Sequence, residues 1–136
     1  MNKFLILVIV LLFSCSATND FEGRITFIQP GILIENDNKE SIWADLKDHD
    51  NLYKLGYPKR VSQIKIRDKD DNTKLFYVNP AQSLETINLS YTYSHFQSHM
   101  INGDKVFVEF QKIKNSESPE KSFNRIVNLR FIDHKH

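Results

Sequence analysis

The sequence predicts an all-β or mainly β domain, a small antiparallel barrel with one or two short helices. Three observations carry that expectation. From Phe21 onward, apolar residues alternate with polar ones in short runs, which is the period of a half-buried strand. Clusters of Asn, Asp, Gly and Pro punctuate the runs at short intervals. The runs themselves are built from β-branched and aromatic residues, with 10 Phe and 5 Tyr in a chain of 136 residues.

Taken in order, Arg24-Ile25-Thr26-Phe27-Ile28 reads as a first strand, Pro30-Gly31 as a break, and Ile32-Leu33-Ile34-Glu35 as its resumption. Asn36-Asp37-Asn38 marks a turn, and Ser41 to Leu46 reads as a third strand. Leu52, Tyr53 and Leu55 follow an acidic start and precede Gly56, so one or two helical turns are expected there, ended by Pro58. Val61, Ile64 and Ile66, the polar run Asp68 to Asn72, and Leu75 to Val78 make a hairpin with a charged tip. Lys105 to Phe110 and Arg125 to Ile132 are the clearest strands, separated by a polar loop from Asn115 to Glu120. In the last strand, alternation sets Ile126, Asn128 and Arg130 opposite Val127, Leu129 and Phe131, so one of these faces packs inward.

Residues 83–100 support two readings. Ile87, Leu89, Tyr91 and Tyr93 alternate with Asn88, Ser90, Thr92 and Ser94, and these residue types favour a strand. Leu84, Ile87, Tyr91 and His95 also recur at helical spacing. Local propensity predicts the strand. The total of six to eight strands, so spaced, is that of an OB-like barrel.

Lys3 precedes an unbroken apolar run from Phe4 to Phe13, then Ser14 and Cys15, the only cysteine. A positive start, a ten-residue apolar core and small residues after it form a secretory signal peptide. The run falls short of the about 20 apolar residues that a membrane-crossing helix needs. Cys15-Ser16-Ala17 also offers small residues for an ordinary cut after Ala17. The expected division is residues 1–14 as signal peptide, 15–20 as lipidated cysteine and polar tether, and 21–133 as one β domain. Five tether residues reach roughly 15 to 18 Å at full extension.

Of 18 basic residues, Lys3 alone lies in the leader, which leaves 17 against 17 acidic ones. A balanced domain lacks the basic excess of a dedicated nucleic-acid binder. No cysteine lies within the β domain to form a disulfide, so packing alone must hold the fold.

Asp68-Lys69-Asp70-Asp71-Asn72 spaces oxygen atoms as a calcium loop begins, but Thr73 and Asn79 stand where that loop needs glycine and glutamate. A solvated hairpin tip is expected. His95 and His99 would share a helix face, yet two ligands do not make a selective metal site, and His134 and His136 read as a frayed end. No Gly-x-Ser-x-Gly elbow or glycine-rich phosphate loop occurs among the four glycines. No cofactor and no metal site is expected. The tyrosines read mostly as core or strand-pair residues, with Tyr91 and Tyr93 as the candidate contact row.

Leu12-Phe13-Ser14-Cys15 resembles the lipobox of bacterial lipoproteins: aliphatic, variable, small, then the cysteine that receives the lipid. The resemblance implies lipidation of Cys15 by thioether formation, fatty acyl chains such as palmitate, and a place in the bacterial cell envelope. Ser16 after the cysteine implies transport to the outer membrane, facing the periplasm. Residues 100–132 resemble the end of the thermonuclease family, an OB-type barrel. Ile101-Asn102-Gly103-Asp104, Val106 to Phe110 and Phe123-Asn124-Arg125 match its glycine turn, its Glu-Phe strand and its arginine motif. That places Arg125 as a phosphate-stabilising arginine. The family's Asp-x-Pro-Glu, which supplies a metal ligand and the catalytic carboxylate, is missing. Without metal and base, an arginine cannot organise phosphodiester hydrolysis.

The function expected is therefore that of a lipid-anchored envelope lipoprotein, a non-catalytic binding module for a protein partner. Its candidate contacts are Tyr91, Tyr93 and Arg125. A divergent nuclease-like hydrolase using Arg125 is the alternative, and nucleic acid is not the expected partner.

Overall fold

The computed structural model describes residues 18–80, 92–114 and 122–132. Its elements are strands β1 (Asn19–Gly31), β2 (Leu33–Glu35) and β3 (Ser41–Trp43), a 3-10 turn at Leu46–Asp48, helix α1 (His49–Lys54), strands β4 (Arg60–Arg67) and β5 (Thr73–Tyr77), helix α2 (Tyr93–Asn102), and strands β6 (Lys105–Lys114) and β7 (Ser122–Ile132). Five strands close a barrel in the order β1-β4-β5-β7-β6, while β2 and β3 form a separate ribbon. Length lets β1 close it. The first half of β1, Asn19 to Arg24, pairs with β6, and the second half, Arg24 to Gly31, pairs with β4. With α2 between β5 and β6, this is an OB-like barrel, as the sequence predicts. Not every pairing is antiparallel: β5 meets β7 in parallel, at Phe76↔Asn124 and Tyr77↔Arg125.

Inward alternation fills the barrel. On β4, Ile64 and Ile66 point in while Gln63 and Lys65 point out, and Val106, Val108 and Phe110 do the same for β6. Phe76, fully buried, meets Phe110 edge to face with centroids 5.1 Å apart. On β1 the buried residues Ile25 and Ile28 are three apart, because a bulge at Thr26 resets the period. Gly23 lies where β1 passes from one neighbour to the other, and a Cβ there would collide with the Arg67 carbonyl.

Several sequence expectations are corrected. Pro30-Gly31 does not break β1; Pro30 pairs opposite Val61 across a register shift, which accommodates its missing N–H. The third strand is only Ser41–Trp43, and Leu46 lies in the 3-10 turn. The last strand has no single inward face. A register shift opposite Glu109 and Phe110 leaves Val127 extra, so Ile126 and Leu129 are both buried.

The largest correction concerns the strand expected over 83–100, whose described end, Tyr93 onward, is helix α2. Thr92 caps it by accepting a hydrogen bond from the His95 amide at 3.3 Å. At the other end Gly103 takes φ 69°, the Gly103 amide donates to Met100 O and the Asp104 amide to His99 O, both at 3.1 Å. These two bonds form a Schellman stop. Phe96 and His99 are buried on one face, with Tyr93 and Met100 packed beside them, so tertiary burial overrides local propensity. Cys15, Tyr91, residues 1–17 and residues 81–91 lie outside the described residues.

Candidate binding surface

Arg125 stands on the outer wall of the barrel. Its neighbour Ile126 is buried opposite buried Phe110, so the pleat turns Arg125 and its partner Gln111 outward. Register continues this outer row from Gln111 through Arg125 and Tyr77 to Gln63. Arg125 Nη2 donates to Gln111 Oε1 at 2.7 Å, while its buried Nε has no acceptor among the described residues. Phe123 lies on the same side as Arg125, two residues away, and its ring meets that of Tyr77 edge to face at 5.4 Å. Asn124 Nδ2 donates to Leu75 O at 3.1 Å, which ties β7 to β5 next to the short parallel pairing. A shallow cavity of about 370 Å³ opens here, lined by Leu75, Tyr77, Phe123 and Asn124, with Lys74 and Lys112 as its only charged residues among those described.

A second recess forms where α1 and the start of α2 approach each other. Thr92 bridges to Arg60, and the Tyr93 amide donates to Lys59 O at 3.0 Å, so the start of α2 is fixed to the start of β4. The Lys59 ammonium lies 5.2 Å from the ring centroids of both Tyr53 and Tyr93. That is cation–π range. Tyr53 and Tyr57 are 58% and 40% exposed, so they are exceptions to the expectation that most of the tyrosines are core or strand-pair residues.

The histidines of α2 do different work. His99 is buried, its Nδ1 is 2.8 Å from Asp104 Oδ2, and its ring stacks on Phe131 at 3.6 Å. His95 meets the His99 ring edge to face at 4.7 Å. These contacts tie α2 to β7 and to its own Schellman turn. Among the described residues no three His, Cys, Asp or Glu side chains gather around a metal position.

At the β4–β5 tip, Asp68 Oδ1 accepts from the Asp70 and Asn72 amides, both at 2.9 Å. The Asn72 backbone bond leads the effects that hold the Asp68 carboxyl below its ordinary value. The carboxylate shapes a turn.

Of the candidates read from the sequence, the structure places Tyr93 in the tyrosine recess and Arg125 on the barrel wall, so the two belong to different surfaces. Sequence reasoning missed Phe123, Gln111 and Lys59 as their companions. The weak signal for Phe123 was its alternation with Arg125. Comparison with protein-family models, with curated proteins and with solved structures finds no match to this chain. The geometry suits recognition by stacking, hydrogen bonding and charge.

Proposed function

We propose that the chain is a lipid-anchored lipoprotein of the cell envelope whose barrel is a non-catalytic binding module for a protein partner. Cys15 is the anchor, acylated after loss of residues 1–14, and Ser16 directs the protein to the periplasmic face of the outer membrane. Because β1 begins at Asn19, only Ser16, Ala17 and Thr18 separate the anchor from the barrel. Three residues span about 10 Å, so the domain works close to the lipid.

One observation carries the binding reading. On the outer face of the β5–β7 wall, Tyr77, Phe123 and Arg125 stand together, and among the described residues that line the adjoining cavity the charged ones are Lys74 and Lys112. Tyr and Arg are the side chains that most often dominate protein interfaces. A partner segment with an acidic residue fits, because its carboxylate would meet Arg125 and a lining that holds lysines and no carboxylate among the described residues. The hydrolase alternative asks for a carboxylate near Arg125, whereas its neighbours in register are Gln111 and Tyr77.

A photo-crosslinking residue at position 123 tests the reading in intact cells. The expected result is one discrete protein adduct, lost when Arg125→Ala is added and absent with the crosslinker at position 53. Equal adducts from both positions would sink the proposal. So would calcium-dependent turnover of nucleic acid by the purified protein that Arg125→Ala abolishes.

A further inference from the structure

We infer that the recess between α1 and the start of α2 is a binding site for a saccharide that carries a carboxylate. Its volume is about 620 Å³, within the range of small-molecule sites. Tyr53, Tyr57 and Tyr93 supply aromatic surface, Thr92 and Ser94 supply hydroxyls, and Lys59 supplies the only charge in its lining among the described residues. A sugar ring is apolar on its C–H faces and polar around its edge. Tyrosine answers both, with an apolar ring and a hydroxyl that stays wet.

The cation decides which saccharide. Lys59 is exposed, yet its ammonium is held between two rings at 5.2 Å from each, so part of the freedom that a surface lysine loses on binding is already lost. Among the described residues no carboxylate lines the recess to compete for it. An arriving carboxylate therefore completes a charge-assisted hydrogen bond, while a neutral sugar leaves the ammonium without a partner. A strand of nucleic acid fits less well, because it brings successive phosphates and the described lining of the recess offers one cation.

The position is coherent with the fold. The recess adjoins Arg60, which pairs with Gly31 at the end of β1, so it lies at the far end of that strand from Asn19. OB-type barrels bind oligonucleotides and oligosaccharides on the face of their second and third strands and on flanking loops, one of which joins the first two strands. Here that connection, between β1 and β4, contains α1 and all of the recess except the start of α2. The site is separate from the β5–β7 wall and does not depend on the anchor.

Titration of the detergent-solubilised full chain, followed by calorimetry and by amide shifts in NMR, tests this. The probe is a tetrasaccharide of alternating glucuronate and N-acetylglucosamine; the controls are an N-acetylglucosamine tetramer and tetraglutamate. The acidic saccharide is expected to bind saturably and to shift the amides of 53–59 and 92–94. Lys59→Ala should weaken it about fivefold, the scale of one exposed ion pair, and leave the neutral tetramer unchanged. Tyr57→Ala should weaken both saccharides about tenfold by loss of aromatic contact. Phe123→Ala should change neither. Both cleft substitutions remove exposed atoms, and unchanged amide spectra elsewhere will verify the fold. Absence of saturable binding, shifts centred outside the recess, indifference to Lys59→Ala, or equal affinity for tetraglutamate would each overturn the inference.

Discussion

Asp68 illustrates how one side chain sets a local structure. Its carboxylate gathers the Asp70 and Asn72 amides at the β4–β5 tip, where Asp71 is held at φ 65°. The charged form makes these bonds, so the folded-state pKa lies below the unfolded one, with the Asn72 backbone bond the largest cause. The linkage follows: the contribution is present above the unfolded pKa and is lost as pH falls through the folded one. A carbon-detected NMR titration should find the Asp68 midpoint below that of an ordinary aspartate, and Asp68→Asn should abolish that pH dependence at the Asn72 amide. Gly103 acts through the backbone. At φ 69° an L side chain is strained, so Gly103→Ala should cost about 1 kcal/mol in urea unfolding. Gly23→Ala should cost more, because the Arg67 carbonyl blocks the added carbon and backbone must move.

Among the elements, α2 shows how much of a structure lies outside local preference. The strand-like alternation of Ile87 to Ser94 runs into its first turn, and its helical state depends on Thr92 at one end, the Gly103 stop at the other, and the burial of Phe96 between them. Phe96→Ala should therefore destabilise by about 3 to 5 kcal/mol, measured by chemical denaturation, with amide protection lost first along α2. The hairpin of β4 and β5 was legible in the sequence because Ile64, Ile66 and Phe76 alternate cleanly around a polar tip. The bulges at Thr26 and Val127 were not, since a register shift is set by the partner strand and leaves no composition signal. The same reason hides the candidate surfaces. Tyr53 and Lys59 lie in one connection, but Tyr93 is far from them in sequence and joins them where Thr92 is bridged to Arg60. Arg125 was legible as a residue, but its neighbours Tyr77 and Gln111 follow from a barrel closed by one parallel pairing.

For the whole molecule, the longest strand of the barrel sets where the chain enters it. β1 starts at Asn19 paired with Phe110, so the chain enters the barrel at one end of its longest strand, and the tyrosine recess adjoins the other end. If Cys15 is acylated, the tether of Ser16 to Thr18 holds that entry end near the lipid and turns the recess outward. Thirteen residues of β1 at about 3.3 Å each give a strand of roughly 40 Å before its bulges shorten it. Metabolic labelling with a radioactive or clickable fatty acid should mark the wild type and leave Cys15→Ala unmarked. Fractionation should then move the variant from the membrane to the soluble fraction, because several acyl chains at about 0.8 kcal/mol per buried methylene account for the attachment. The two readouts separate the alternatives. A protein cut after Ala17 would be unlabelled and soluble with either residue at position 15, whereas an uncleaved apolar leader would keep both forms on the membrane without label. Lengthening the tether by a flexible insertion after Thr18 adds the last constraint: it should leave saccharide binding intact in detergent and reduce the position-123 adduct in cells if the partner sits at a fixed height above the same membrane.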